Sequence, residues 1–200
     1  MALAVQDLKD LLTDLAQLMS EQRDYLCKLD GEIGDADHGI AMDQGMAAAA
    51  FATKGLDDGT MQEMFNAAAK GFLNAVGAST GPLYATGFMW AGKRLATVSE
   101  VEQDDLRQVI IGMAEGIAHR GKAEPGQKTM LDAWHPAAEA AAAGANPSEI
   151  AHAAKQGAEA TRGLTATLGR AARLGDRSLG HLDPGAVSAA MIVERICDRM

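Results

Sequence analysis

Apolar side chains recur at three- and four-residue steps along almost the whole of this 200-residue chain and never settle into the alternation of a strand. Val5, Leu8, Leu12, Leu15 and Met19 open the pattern, and Leu26 and Leu29 continue it. Forty alanines, a fifth of the chain, push the same way, because alanine is the best helix former and a poor strand former. The expectation is an all-α protein.

The periodic stretches and their breaks predict eight helices. The first carries the residues just named, and a polar, glycine-rich loop follows at 30–39. A second helix covers 40–53, and Met61, Met64, Phe65, Phe72, Leu73 and Val76 mark a third. Pro82 suits the first turn of a fourth that reaches Leu95. A fifth holds Leu106, Ile110, Met113 and Ile117, and Thr129 is placed to cap a sixth that fades near Gly144. Pro147 opens a seventh to about Arg170, and a last helix follows Pro184 with Val187, Met191 and Ile196. Short connections and small side chains make an eight-helix antiparallel bundle or barrel the natural arrangement. Without a linker or a fixed-period repeat, residues 1–200 read as a single domain. Trp90 and Trp134 read as core anchors, and the alanines at 137–143 as a surface for close helix packing.

Charge narrows the possible partners. Eighteen basic and 27 acidic residues leave a net charge of −9, which argues against nucleic acid or an anionic membrane as a partner. The chain turns acidic at Asp7, before any apolar signal core, and no uncharged apolar stretch approaches a membrane span. The expected location is the cytoplasm, with Cys27 and Cys197 as reduced thiols.

The unusual residues collect in four loops, at 30–39, 77–82, 120–129 and 175–185. These follow helices one, three, five and seven, so an up-and-down topology brings them to one end as a composite site. Asp30, Asp35 and Asp37 among glycines offer hard oxygen ligands of the kind magnesium prefers. On these residues alone, a solvated acidic turn that caps the next helix with Asp37 or His38 is the favoured reading. A calcium EF-hand fails, because Met46 stands where its closing glutamate would. Ser79 and Thr80 precede a helix start, where backbone amides receive phosphate oxygens, although a plain helix cap has the same composition. Arg177 among glycines suits a phosphate or a stacked base, and equally a surface turn. Two GxxxxGK matches, beginning at Gly87 and Gly116, lack the final hydroxyl residue and a preceding strand, so neither is a P-loop.

The run from Leu29 to Gly39, LDGEIGDADHG, resembles the signature of the dihydroxyacetone kinase L subunit family, and the blocks at 77–83, 120–130 and 175–185 resemble its others in the same order. The similarity covers essentially the whole chain. It implies an eight-helix antiparallel barrel that holds ADP, or ATP when phosphorylated, with two magnesium ions at one end. It further implies Asp30, Asp35 and Asp37 as metal ligands and catalytic carboxylates. His38, Gly39, Ile40, Ala41, Ser79, Thr80, Gly121, Met130, Arg177, Asp183, Pro184 and Gly185 fall at its nucleotide-binding positions. Ala41 departs from the family's usual asparagine and removes any side-chain contact there.

The resemblance implies partners as well. A K subunit holds dihydroxyacetone, an M subunit of the phosphotransferase system supplies a phosphohistidine, and in some members a transcription regulator binds the nucleotide-loaded subunit. The expected function is that of the ADP-binding subunit of phosphoenolpyruvate-dependent dihydroxyacetone kinase. Two further readings stay open: an ATP-exchanging kinase subunit for another small ketose such as erythrulose, and a regulatory binding module.

Overall fold

A computed structural model describes residues 3–56, 59–96 and 102–200. Eight α-helices account for most of these residues, and no strand is present among them. They are α1 (Val5–Ile33), α2 (His38–Thr53), α3 (Met61–Ala75), α4 (Thr80–Leu95), α5 (Leu106–Gly121), α6 (Leu131–Ala142), α7 (Pro147–Ala160) and α8 (Pro184–Cys197). Each helix packs against the next, and α8 returns to α1 to close the ring. The all-α, eight-helix expectation is met.

Local chemistry explains several of the boundaries. Thr60 accepts the Glu63 amide at 3.2 Å while the Glu63 carboxylate takes the Thr60 amide at 2.8 Å, a reciprocal cap that starts α3. Asn146 and Glu149 repeat it at α7, with Pro147 in the first turn. Asp183 caps α8 by accepting the Ala186 amide at 2.7 Å, again with proline next.

Phe65, Phe72, Tyr84 and Phe88 form an aromatic cluster inside the ring, with the Phe72 and Tyr84 rings 5.1 Å apart, and Trp134 is fully buried. Gly87, Gly92 and Gly116 of the two GxxxxGK matches serve packing instead. A Cβ on Gly116 would lie 2.6 Å from the Thr86 carbonyl oxygen, so α5 approaches α4 backbone to backbone.

Three expectations are corrected. Helix α1 does not stop at Leu29 but runs to Ile33, so Asp30 is a helical residue and only 34–37 form a turn. Helix α7 stops at Ala160, ten residues short of Arg170. A 3-10 turn at Thr161–Gly163 follows, and Leu164 is already extended. Finally, Trp90 lies half-buried on the outer side of α4 against the His119 ring, with centroids 5.1 Å apart. Only Trp134 anchors the core, because the inward face of α4 is taken by Tyr84, Phe88 and Ala91.

Candidate functional site

The loops after α1, α3, α5 and α7 meet at one end of the ring and enclose a cavity of about 720 Å³. Among the described residues, the four non-glycine residues with left-handed backbone are Ala36, Ala78, Lys122 and Lys128, and all lie in the first three of these loops. Such strain persists only where the surroundings impose it, and it collects at functional sites.

The acidic corner starts from Asp30, which is 8 % exposed in the last turn of α1. Its Oδ2 accepts the Asp37 amide at 2.9 Å and the His38 amide at 3.2 Å, which ties the end of α1 to the start of α2. That tie turns the short segment between them so that Asp35 and Asp37 stand beside Asp30. One carboxylate oxygen from each of the three residues lies within 4.8 Å of the others. Partial burial, with the Asp30 charge adding to it, holds the Asp37 carboxyl above the usual carboxylate range.

His38 is buried behind this corner, its Nε2 2.9 Å from Ser188 Oγ. Ser188 commits its own proton to the Gly185 carbonyl at 3.0 Å, so His38 Nε2 carries the donated hydrogen. Burial pushes the imidazole down to about 4, so it is neutral near pH 7. Gly39 does not line the cavity. It is buried where α2 crosses α1, and a Cβ there would lie 1.9 Å from the Arg23 carbonyl oxygen. Ile40 and Ala41 do reach the cavity from the first turn of α2.

The remaining walls come from the other three loops. Ser79 and Thr80 line the cavity at the N-terminus of α4, and Gly121 and Met130 line it from the loop joining α5 to α6. Asp132 shapes that loop by accepting the Thr129 amide at 2.7 Å and the Gly126 amide. Asp183, Pro184 and Gly185 line the cavity at the start of α8. Burial drives the Asp183 carboxyl up to about 7, against the Ala186 hydrogen bond that favours its charged form.

Like Gly39, Arg177 is a predicted residue that the fold leaves off the cavity wall. The chain kinks at Gly175 (φ +55°), and Ser178 turns inward, donating to the Gly175 carbonyl and accepting the Ala166 amide. Arg177 stays exposed and off the cavity wall.

Two residues missing from the sequence reading take part instead. Arg170 pairs through Nη1 with Asp35 and, at 3.1 Å, with Asp37. Lys128, 1 % exposed, donates from Nζ to the Thr161 carbonyl at 2.6 Å and to the His181 carbonyl, pinning the segment that carries Arg170. Thr165, Thr167 and the glycines at 163 and 169 argued against a helix there and were the available signal for Arg170. Lys128 lies within the 120–130 block, but no local pattern assigns its role, which depends on two distant carbonyls.

Fold and site together define a class: a closed ring of α-helices that carries an all-oxygen carboxylate corner and a polar-and-apolar cavity at one open end. The chain belongs to the DAK2 domain family, whose pattern matches residues 32–198. It is 37% identical over 181 residues to an ADP-binding subunit DhaL of a PEP-dependent dihydroxyacetone kinase from Listeria innocua, covering 90% of this chain and 89% of that protein. It is 33% identical over 204 residues to the corresponding Escherichia coli subunit, covering 98% and 97%. An L-erythrulose 1-kinase of Mycolicibacterium smegmatis is 29% identical over 198 residues, which are 95% of this chain and 35% of that enzyme. The fold matches that of the dihydroxyacetone kinase from C. freundii, solved with AMP-PNP and Mg2+, with a TM-score of 0.77 and 23% identity. That match spans all of this chain and 35% of the other. No helix among the described residues is long and apolar enough to cross a membrane.

Proposed function

We propose that this chain is the ADP-binding subunit of a phosphoenolpyruvate-dependent dihydroxyacetone kinase. The observation that carries the reading is the carboxylate corner of Asp30, Asp35 and Asp37, whose oxygens lie within 4.8 Å of one another at a cavity of about 720 Å³. The donor set fits magnesium, which takes carboxylate oxygen and leaves positions for phosphate and water. The cavity falls in the size range of small-molecule sites. Identity to separate ADP-binding subunits reaches 38%, against 29–32% for the erythrulose kinases, and this favours the first acceptor class.

In this reading Asp30, Asp35 and Asp37 hold two magnesium ions, and bound magnesium supplies charge neutralisation and alignment of the phosphates. Ser79 and Thr80 offer hydroxyls and helix-terminal amides to phosphate oxygens. Leu83, Ile117, Met130 and Leu168 provide an apolar wall suited to a purine. Ile40 and Ala41 contribute backbone at the first turn of α2, with His38 fixed behind them by Ser188. Asp183, Pro184 and Gly185 close the floor. Gly39 acts indirectly, by letting α2 sit against α1. The chain's task is positioning and charge compensation, which suffices for phosphoryl transfer without a protein nucleophile.

Residues 1–200 act as one domain in this reading. Its support is that α1, most of which precedes the family match, supplies Asp30 and closes the ring with α8. The partners are a K subunit that holds dihydroxyacetone, an M subunit that supplies a phosphohistidine and, as a third, a transcription regulator, all in the cytoplasm.

Two measurements test this. Protein purified without added nucleotide should release close to one ADP and two magnesium ions per chain on denaturation. Asp37→Asn should lower phosphoryl transfer by roughly a hundredfold or more while leaving partner binding intact. Transfer that survives while partner binding fails would overturn the catalytic reading in favour of a docking module.

A further inference from the structure

The carboxylate corner already carries a cation of its own. Arg170 Nη1 contacts Oδ2 of Asp35 and lies 3.1 Å from Oδ2 of Asp37, while Asp30 Oδ2 is satisfied by the Asp37 and His38 amides. Gly169 (φ +70°) immediately precedes Arg170, and Gly175 (φ +55°) follows five residues later. Arg170 therefore sits on an arm between two glycine turns, with its side chain 47% exposed.

We propose that Arg170 is a tethered counter-ion for the three-aspartate corner. It occupies Oδ2 of both Asp35 and Asp37, two of the three side chains that would hold a divalent cation, so in this proposal the cation displaces it. This rests on the metal role assigned above to the three aspartates. Two neighbouring carboxylates repel, and a guanidinium is permanently charged, with a fork of donors able to bridge them. The arm thus offsets the charge of the acidic corner, while the backbone tie through Asp30 holds the carboxylates together. A contact this exposed holds weakly, so a dication outcompetes it at a modest loss of affinity. The alternative geometry, Arg170 remaining paired behind a bound cation, predicts the opposite sign on its removal.

The test is Mn2+ titration of the full chain stripped of nucleotide and divalent ions, read by calorimetry or by the electron paramagnetic resonance of free Mn2+. Arg170→Gln should bind Mn2+ about three- to tenfold more tightly than wild type, with Arg170→Lys between them. Arg177→Gln removes the same charge from the same segment without touching a carboxylate, and should stay within about twofold of wild type. Equal or weaker binding by Arg170→Gln overturns the inference, as does an equal gain in both variants, which would show a net-charge effect. In both cases wild-type binding, and its loss in Asp37→Asn, would leave the metal site standing. Absence of Mn2+ binding in wild type as well would overturn the metal site and the counter-ion together.

Discussion

The two walls of the cavity that meet at the carboxylate corner are built on different principles. The acidic wall is a four-residue turn between two helices, tied from beneath by a buried carboxylate that takes two amides and by the His38–Ser188 contact. The arginine wall, residues 161–183, is long and irregular, and carries Arg173, Arg177 and Leu179 in solvent. It is anchored mainly at its ends. Lys128 grips the Thr161 and His181 carbonyls, and Thr161 Oγ1 accepts the Asp183 amide at 3.0 Å. A site made this way has one wall that keeps its charges in place and another that adapts. The rigid wall is the one that concentrates negative charge, because repelling carboxylates stay together only where the backbone gives them no alternative.

The strongest way to break that contrast is Gly39→Ala. The added methyl would meet the Arg23 carbonyl oxygen at 1.9 Å and Cys27 Sγ at 2.8 Å, so α2 must lift off α1. The expected cost is about 3 kcal/mol, a fall of roughly 10 °C in thermal unfolding, with loss of divalent-cation binding.

Lys128→Met probes the other wall. Removing the charged donor strands two carbonyls and should cost about 2 kcal/mol by denaturant unfolding. Hydrogen exchange should quicken across 161–183 and stay unchanged at 34–39. Equal quickening on both sides would show that the walls are not independent.

A smaller effect sharpens the comparison through pH. Asp183, at the junction of the arginine wall and α8, keeps its proton up to about pH 7 when folded, whereas an unfolded aspartate loses it near 4. The folded state therefore binds more protons between those values, and this group's contribution to stability falls as pH rises from about 4 to about 7. Asp183→Asn retains the cap and should remove that slope. In metal-free protein it should gain on the order of 1–2 kcal/mol at pH 8 and nothing near pH 4, as urea unfolding at the two pH values would read.

The all-α class and the eight helices were legible in sequence, because burial period, alanine content and capping pairs such as Asn146 with Glu149 act over a few residues. So was the gathering of four loops at one end, which follows from short connections between alternating helices. The aspartates of the acidic corner were legible as candidates, since three in eight residues is itself a local pattern. Arg170 is hidden when α7 is read too long, and Arg177, which the family resemblance assigns to the nucleotide, is turned to solvent at the Gly175 kink.

Sequence by itself thus determined the helices, their order and the negative charge of one end, because propensity, periodicity and charge are local properties. Tertiary structure decided which arginine faces that charge, that a buried lysine holds the arm, and that Gly39 spaces two helices instead of lining a cavity. Each of these depends on contacts between segments far apart in the chain, and no local pattern encodes the distance between them.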